Sequence, residues 1–192
     1  MRKKLFTLST IIALLLIVSN PLLAEMRGGT YEFGVYVGPF IGIGDTNGFE
    51  LNTGVLPGFR LGYNYTPYIG IETSFGWSTA NMDIVGVEHE DQQFLFSADL
   101  ILHLAPKHCL VPFLAVGVGL IDFRGDYMRD LYESEDISKT RVSPNWGGGV
   151  KIFLSKNLAI RTDVRFYNFG LGFEGLGRMT TLEVNSGLSY LY

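Results

Sequence analysis

Nine ionisable side chains are spaced so that they fall on one face of alternating segments: Glu32, Arg60, Glu72, Asp99, Lys151, Arg161, Asp163, Arg165 and Glu183. Four are basic and five acidic. Such groups could carry a proton path, line a gated polar pore, or neutralise one another as a plug of salt bridges. An unpaired charge removed from water is very costly, so they are expected to pair and hydrogen-bond with one another. Other reactive types are sparse. His89 lies in an acidic stretch, His103 shares a face with Asp99, and His108 adjoins Cys109. Asp99 and His103 are expected to share a hydrogen bond, whereas His108 and Cys109 alone are too few ligands for a metal site. Cys109 is the single cysteine, which excludes an internal disulfide. "EHED", Glu88 to Asp91, lacks calcium-loop spacing and reads as a solvated loop tip. No nucleophile elbow, phosphate-cradling loop or zinc-protease motif occurs. The residues thus predict no catalytic site, no metal and no cofactor.

The elements that position these groups follow from period-two alternation. It recurs over 30–44, 54–65, 68–80, 93–104, 112–124, 145–154, 157–168 and 179–192, which predicts eight strands. Connections alternate between short ones, at Pro67, 105–111 and 155–156, and long ones, at 45–53, 81–92, 125–144 and 169–178. An even count of meandering strands, with short turns at one end and long loops at the other, predicts an all-β, antiparallel, up-and-down barrel.

Which face points outward is decided by glycine. Thirteen glycines fall on the polar face of these strands and only Gly148 on the apolar one. An eight-stranded barrel has an interior just wide enough for its own side chains, so small residues belong inside. The large apolar face therefore points outward and needs lipid around it. A soluble barrel is the reverse arrangement, apolar inside and polar outside. In so narrow a barrel the nine charges are expected to act as a plug, with a pore or proton path as the alternative.

Residues 1–24 form a separate piece. A basic start, Arg2 to Lys4, precedes the uncharged run "LFTLSTIIALLLIVS" and small Ala24. This layout predicts a secretory signal cleaved after Ala24, leaving 25–192 as one barrel domain. An uncleaved transmembrane anchor is the alternative, but the run is short for a spanning helix of about 20 residues. The remaining chain carries 12 basic and 19 acidic residues, net −7, which argues against nucleic acid as a partner. The long connections hold 12 of the acidic residues against four basic ones, net −8, while the short turns carry only Lys107 and Lys156. The acidic end is expected outside the cell, with both chain ends in the periplasm.

Three stretches resemble a known family. "PFLAVGVGL" at 112–120, "NWGGGVKIFLSKNLAIRTDVRFY" at 145–167 and "LGYNYTPYIGIETSFGW" at 61–77 are similar to strands of the outer-membrane β-barrel family that includes OmpA-like and OmpX-like barrels. The peptidoglycan-binding domain of full OmpA-type proteins has no counterpart here. The resemblance implies an eight-stranded transmembrane β-barrel in a bacterial outer membrane. Family members serve as structural proteins, adhesins, small pores or immune-evasion surface proteins, and some eight-stranded barrels modify lipid A. The terminal "NSGLSYLY" places Asn185, Gly187, Tyr190 and Tyr192 in the pattern that resembles the address read by the outer-membrane assembly machinery. The expected role is structural or surface-interacting, with a small passive pore as runner-up and a lipid A-modifying enzyme third. Expected partners are outer-membrane lipid and lipopolysaccharide, the barrel assembly machinery during insertion, and an extracellular ligand at the acidic loops. A monomer is expected.

Overall fold

Alternating large apolar and small or polar residues generate a sheet that closes on itself. The computed structural model describes residues 25–43, 49–51, 53–84, 87–124, 140–170 and 178–192. Among them run β1 (Thr30–Ile43), β2 (Phe49–Leu51), β3 (Gly54–Asn64), β4 (Ile69–Ile84), β5 (Val87–His103), β6 (Leu110–Arg124), β7 (Thr140–Phe153), β8 (Leu158–Gly170) and β9 (Arg178–Leu191). The eight long strands pair antiparallel with their sequence neighbours, and β1 pairs with β9 to close the barrel. The predicted eight-stranded, up-and-down architecture is the observed one. The short β2 pairs with the far end of β4, beside β3.

Side-chain polarity follows the pleat. Along β1, Thr30, Glu32, Gly34 and Tyr36 are buried while Tyr31, Phe33, Val35 and Val37 are about half exposed. The outer face presents large apolar residues around the barrel, among them Leu61, Ile71, Leu100, Val116, Trp146 and Leu188. Such a band is the surface a strand offers to lipid. Inward glycines leave room that other inward side chains fill. A Cβ on Gly58 would strike the ring of Tyr36, and one on Gly76 would lie 2.9 Å from Leu56 Cγ.

The tight turns are built by hydroxyl side chains. Thr66 Oγ1 accepts from the backbone of Tyr68 at 3.2 Å and Ile69 at 3.0 Å, and Ser155 Oγ accepts from Asn157 at 3.4 Å and Leu158 at 3.2 Å. These local bonds reverse the chain where Pro67 and Lys156 stand.

Two strands run further than alternation predicts. The connection expected at 81–92 is mostly hairpin, with Ala80 opposite Asp91 and Ile84 opposite Val87. "EHED" is therefore part of β5, and the loop-tip reading of Glu88–Asp91 is corrected. Beyond the apolar band a strand has no lipid on either face, so the polarity contrast fades while the backbone ladder continues. The same reasoning covers β2 within 45–53 and the early start of β7 at Thr140. Residues 1–24, read as a signal segment, and 125–139 of the longest loop lie outside the described residues.

Replacing Gly58 by Val forces a methyl pair into the Tyr36 ring. Overpacking of this kind typically costs about 1–3 kcal/mol. Urea unfolding of the protein in lipid vesicles is expected to show that loss, while outward Val118→Phe leaves the midpoint unchanged.

Candidate functional site

The lumen gathers eight of the nine charged side chains into one web. Glu72 is its first hub. Arg161 donates Nη1 to Oε2 at 2.5 Å and Nη2 to Oε1 at 3.0 Å, Arg165 Nη2 donates to Oε1 at 2.7 Å, and Arg60 Nη1 stands 3.9 Å away. Asp163 is the second hub, receiving Arg60 at 2.8 Å, Arg161 Nε at 3.2 Å and Arg165 Nε at 3.3 Å. Arg165 Nη1 also donates to Asp99 Oδ2. Lys151 Nζ donates to Glu32 Oε2 at 2.5 Å, and Arg161 reaches Glu32 Oε1 at 3.5 Å. None of the eight is more than 5% exposed. With Glu32, Glu72, Asp99 and Asp163 against Arg60, Lys151, Arg161 and Arg165, four charges of each sign give a formally neutral cluster.

Two expectations are corrected here. Glu183, placed with the others by alternation, lies outside the ion-pair web of the described residues; Tyr167 Oη donates to it at 2.8 Å and Asn185 Nδ2 at 2.5 Å. His103 does not bond Asp99. Its Nε2 lies 3.2 Å from Lys151 Nζ, while Asp99 takes Arg165 and the Ser97 hydroxyl at 2.7 Å. An ammonium can only donate, so Nε2 of this imidazole accepts. The Asp99–His103 spacing indicated a shared face, but Arg165 wins the carboxylate because two opposite charges attract more strongly than a charge and a neutral ring.

Glycine opposite seven of the eight charged side chains, all but Lys151, helps make room for the web. The registers set Gly34 against Arg60, Gly62 against both Glu32 and Glu72, and Gly117 against Asp99. They also set Gly149 against Asp163, Gly147 against Arg165 and Gly187 against Arg161. A Cβ at Gly34 would lie 2.9 Å from Arg60 Cγ and one at Gly149 2.6 Å from Asp163 Cβ, and one at Gly117 would strike Asp99 Oδ1. Aromatic faces complete the packing: Arg60 Cζ lies 4.3 Å from the Tyr36 ring centroid and Arg161 Cζ 4.4 Å from that of Phe113. Both are within cation–π range.

Apolar groups flank the web on both sides along the barrel axis. Towards the long-connection end, Tyr36, Phe40, Leu56, Leu95, Ile121 and Tyr167 cluster, each 5% exposed or less. At the short-turn end, Met26, Val111, Phe153, Ala159 and Leu191 form a floor. Met26 enters from the segment before β1. Its backbone N–H donates to Pro106 at 2.8 Å, and Arg27 Nη2 donates to the Lys156 carbonyl at 3.0 Å. These inward apolar residues are what charge-led reading misses. The same period-two count reveals Leu56, Leu95, Ile121 and Tyr167, whereas Met26 precedes the first strand and no periodicity marks it.

The remaining candidates are dispersed. His108 and Cys109 lie in the turn between β5 and β6, and His89 lies in the outer part of β5. Among the described residues no group of three or more His, Cys, Asp or Glu is placed to hold a metal ion. Asn185, Gly187 and Tyr190 lie on β9, and Tyr192 follows it. Tyr31 N donates to Tyr192 O at 3.0 Å and Tyr192 N to Tyr31 O at 3.1 Å, so the pairing of β1 and β9 extends to the final residue. Tyr192 stacks on Tyr31 with ring centroids 5.6 Å apart.

Residues 10–190 match the family described as "Outer membrane protein beta-barrel domain". The chain belongs to that family. It is an integral β-barrel protein of the bacterial outer membrane, and solved barrels share its fold. OprG from Pseudomonas aeruginosa is 11% identical with a TM-score of 0.63, covering 88% of this chain and 98% of its own. Neisserial surface protein A is 14% identical with a TM-score of 0.65, over 85% and 97%. Ail, the attachment invasion locus protein of Yersinia pestis, solved with the heparin analogue sucrose octasulfate, is 16% identical with a TM-score of 0.50, over 87% and 100%. At such identities the likeness concerns fold. None of these three is named for a catalysed reaction. No curated protein matches the chain in sequence.

The web predicts strong coupling between its members. Glu32→Leu strands Lys151 without its carboxylate, and breaking one side of a buried pair costs about 3–5 kcal/mol. Urea unfolding is expected to show that loss, and Glu32→Leu/Lys151→Met is expected to recover most of it.

Proposed function

We propose that this barrel serves a structural or surface-interaction role, with a lumen closed to solutes and acidic loops facing outward. One observation carries the reading: the neutral web of eight charges is packed between two apolar clusters across the barrel's inside. Ions crossing it would have to break several short pairs and pass two clusters of apolar side chains. Planar-bilayer recording is expected to show no large steady channel, and such a channel from the unaltered protein would overturn the closed lumen. A narrow passive pore is the second reading. Among the described residues, Ser78 Oγ, both polar atoms of Gln93 and of Asn145, and Thr181 Oγ1 are buried without a hydrogen-bond partner. Buried polar groups of this kind call for water, and small rare openings in the same recording would favour that reading.

The net −8 of the long connections, counted with the strand ends that extend into them, selects the sort of partner. Ail's heparin analogue is a polyanion, which acidic loops would repel; a cationic protein surface is the complementary partner here. The role proposed is non-enzymatic, and an altered lipid A acyl pattern on expression would reverse that.

The orientation proposed puts the short turns and both ends of the barrel domain in the periplasm. Cys109, the single cysteine, lies in a short turn. A bulky polyethylene-glycol maleimide is expected to label it only after the outer membrane is permeabilised; labelling on intact cells would invert the orientation. The terminal strand, with Asn185, Gly187, Tyr190 and Tyr192, is proposed as the address for the assembly machinery. Tyr192→Asp removes the Tyr31 stacking and places a charge at the seam. Loss of the heat-modifiable folded form is expected, and normal insertion of that variant would sink the proposal.

A further inference from the structure

The outer face of the barrel is not uniformly bulky. Three rows of outward side chains cross β1, β3, β4 and β5. The row nearer the long-connection end reads Val35, Phe59, Phe75 and Phe96. The row nearer the short turns reads Tyr31, Tyr63, Ile71 and Leu100. Between them, Phe33 and Leu61 are followed by the small residues Thr73 and Ala98. The drop in bulk opens a groove of about 650 Å³ lined by Phe33, Leu61, Thr73, Ala98 and Leu100. Thr73 Oγ1 lies 3.5 Å from the Leu61 carbonyl, so its hydroxyl is turned to the backbone and its methyl is left for the groove. Behind the floor, Glu32, Glu72 and Asp99 belong to the neutral web and are 5% exposed or less.

Towards the short turns the groove meets Tyr31, Tyr63 and Tyr192. Their rings form a cluster, with Tyr31 to Tyr63 centroids 4.8 Å apart and Tyr31 to Tyr192 5.6 Å apart. Tyrosine sits at membrane interfaces because its ring suits the apolar side and its hydroxyl the polar side. An apolar slot that ends at a cluster of three tyrosines matches a molecule with a hydrocarbon chain and a polar head. We infer that this groove is a binding site for one phospholipid, with an acyl chain over Thr73 and Ala98 and the ester–phosphate region at the tyrosine cluster. Lipid is the medium against which this face lies in an outer-membrane barrel, and the slot distinguishes one seat from the general annulus. The choice of phospholipid over lipid A rests on the orientation proposed above, which places the tyrosines in the periplasmic leaflet.

The test is native mass spectrometry of the full barrel, extracted from outer membranes in mild detergent, with heat modifiability as the check of folding. The unaltered protein is expected to retain one phospholipid. Thr73→Leu/Ala98→Phe fills the slot with apolar bulk that the lipid face tolerates, and at least a fivefold loss of the retained lipid is expected. Val118→Phe, on the outer face of β6, is expected to retain it as the unaltered protein does. Equal retention by the filled variant, retention of no lipid, or a second copy of the chain in place of lipid would overturn the site. Retention of lipid A instead of phospholipid, lost in the filled variant, would overturn the choice of lipid; Cys109 labelling then shows separately whether the orientation is at fault.

Discussion

The pairing of β1 with β9 is the interaction on which the rest of the structure depends. Lipid offers no hydrogen bonds, so a spanning sheet with an open edge would leave a row of backbone groups unsatisfied, each costing several kcal/mol. Closure is therefore obligatory, and here it runs from Glu32 opposite Leu191 to Ile43 opposite Thr180. The ladder omits Gly38 and Pro39. Proline has no N–H to give, and a Cβ at Gly38 would strike the Val184 carbonyl. The pairing of Tyr31 with Tyr192 finishes the seam at the short-turn end.

Closing eight long strands leaves a narrow interior, and the strand registers decide what fills it. Long charged groups gain room to converge on the axis where a cross-strand neighbour on one side lacks a side chain. Six glycines opposite seven charged residues supply that condition. Lys151 is the departure. It faces Val111 and Arg161 across the ladder and reaches Glu32 instead, over the ring of Phe113 at 5.6 Å. Electrostatic neutrality follows from geometry as well as composition. Glu183, the ninth charge, sits by Tyr167 and Asn185 and needs neutral donors because the cations below are already committed.

Much of this was legible in the sequence for a physical reason. Lipid outside and a cramped lumen inside impose opposite demands on successive residues, so period two and the one-sided distribution of glycine read both faces at once. The fold and the wall that carries each charge followed from that, while the family came from the resemblance of 61–77, 112–120 and 145–167 to its strands. Partner choice did not. Asp99 and His103 share a face, but competition from Arg165 depends on side chains from β8 that only the closed barrel brings near. The strand extensions around Ile84 and Val87 were hidden because strands clear of lipid lose the contrast that marks them. Met26 was hidden for a different reason: a floor residue before β1 is placed by tertiary packing against Phe153 and Leu191, with no repeat to announce it.

A neutral lumen also determines where this protein can act on its surroundings. The eight-membered web contributes no net charge, and Glu183 contributes at most one. The net −7 that follows residue 24 therefore resides almost wholly at the two ends, chiefly as the −8 of the long connections against Lys107 and Lys156 in the short turns. On the role proposed above, the acidic connections would attract cationic surfaces, and the attraction would weaken as salt screens it, with a range of about 8 Å at physiological ionic strength. The sequence of the wall and of the lumen is constrained by closure and by the ion-pair web. The long connections lie outside that constraint, so on the proposed role specificity for a partner would be written there.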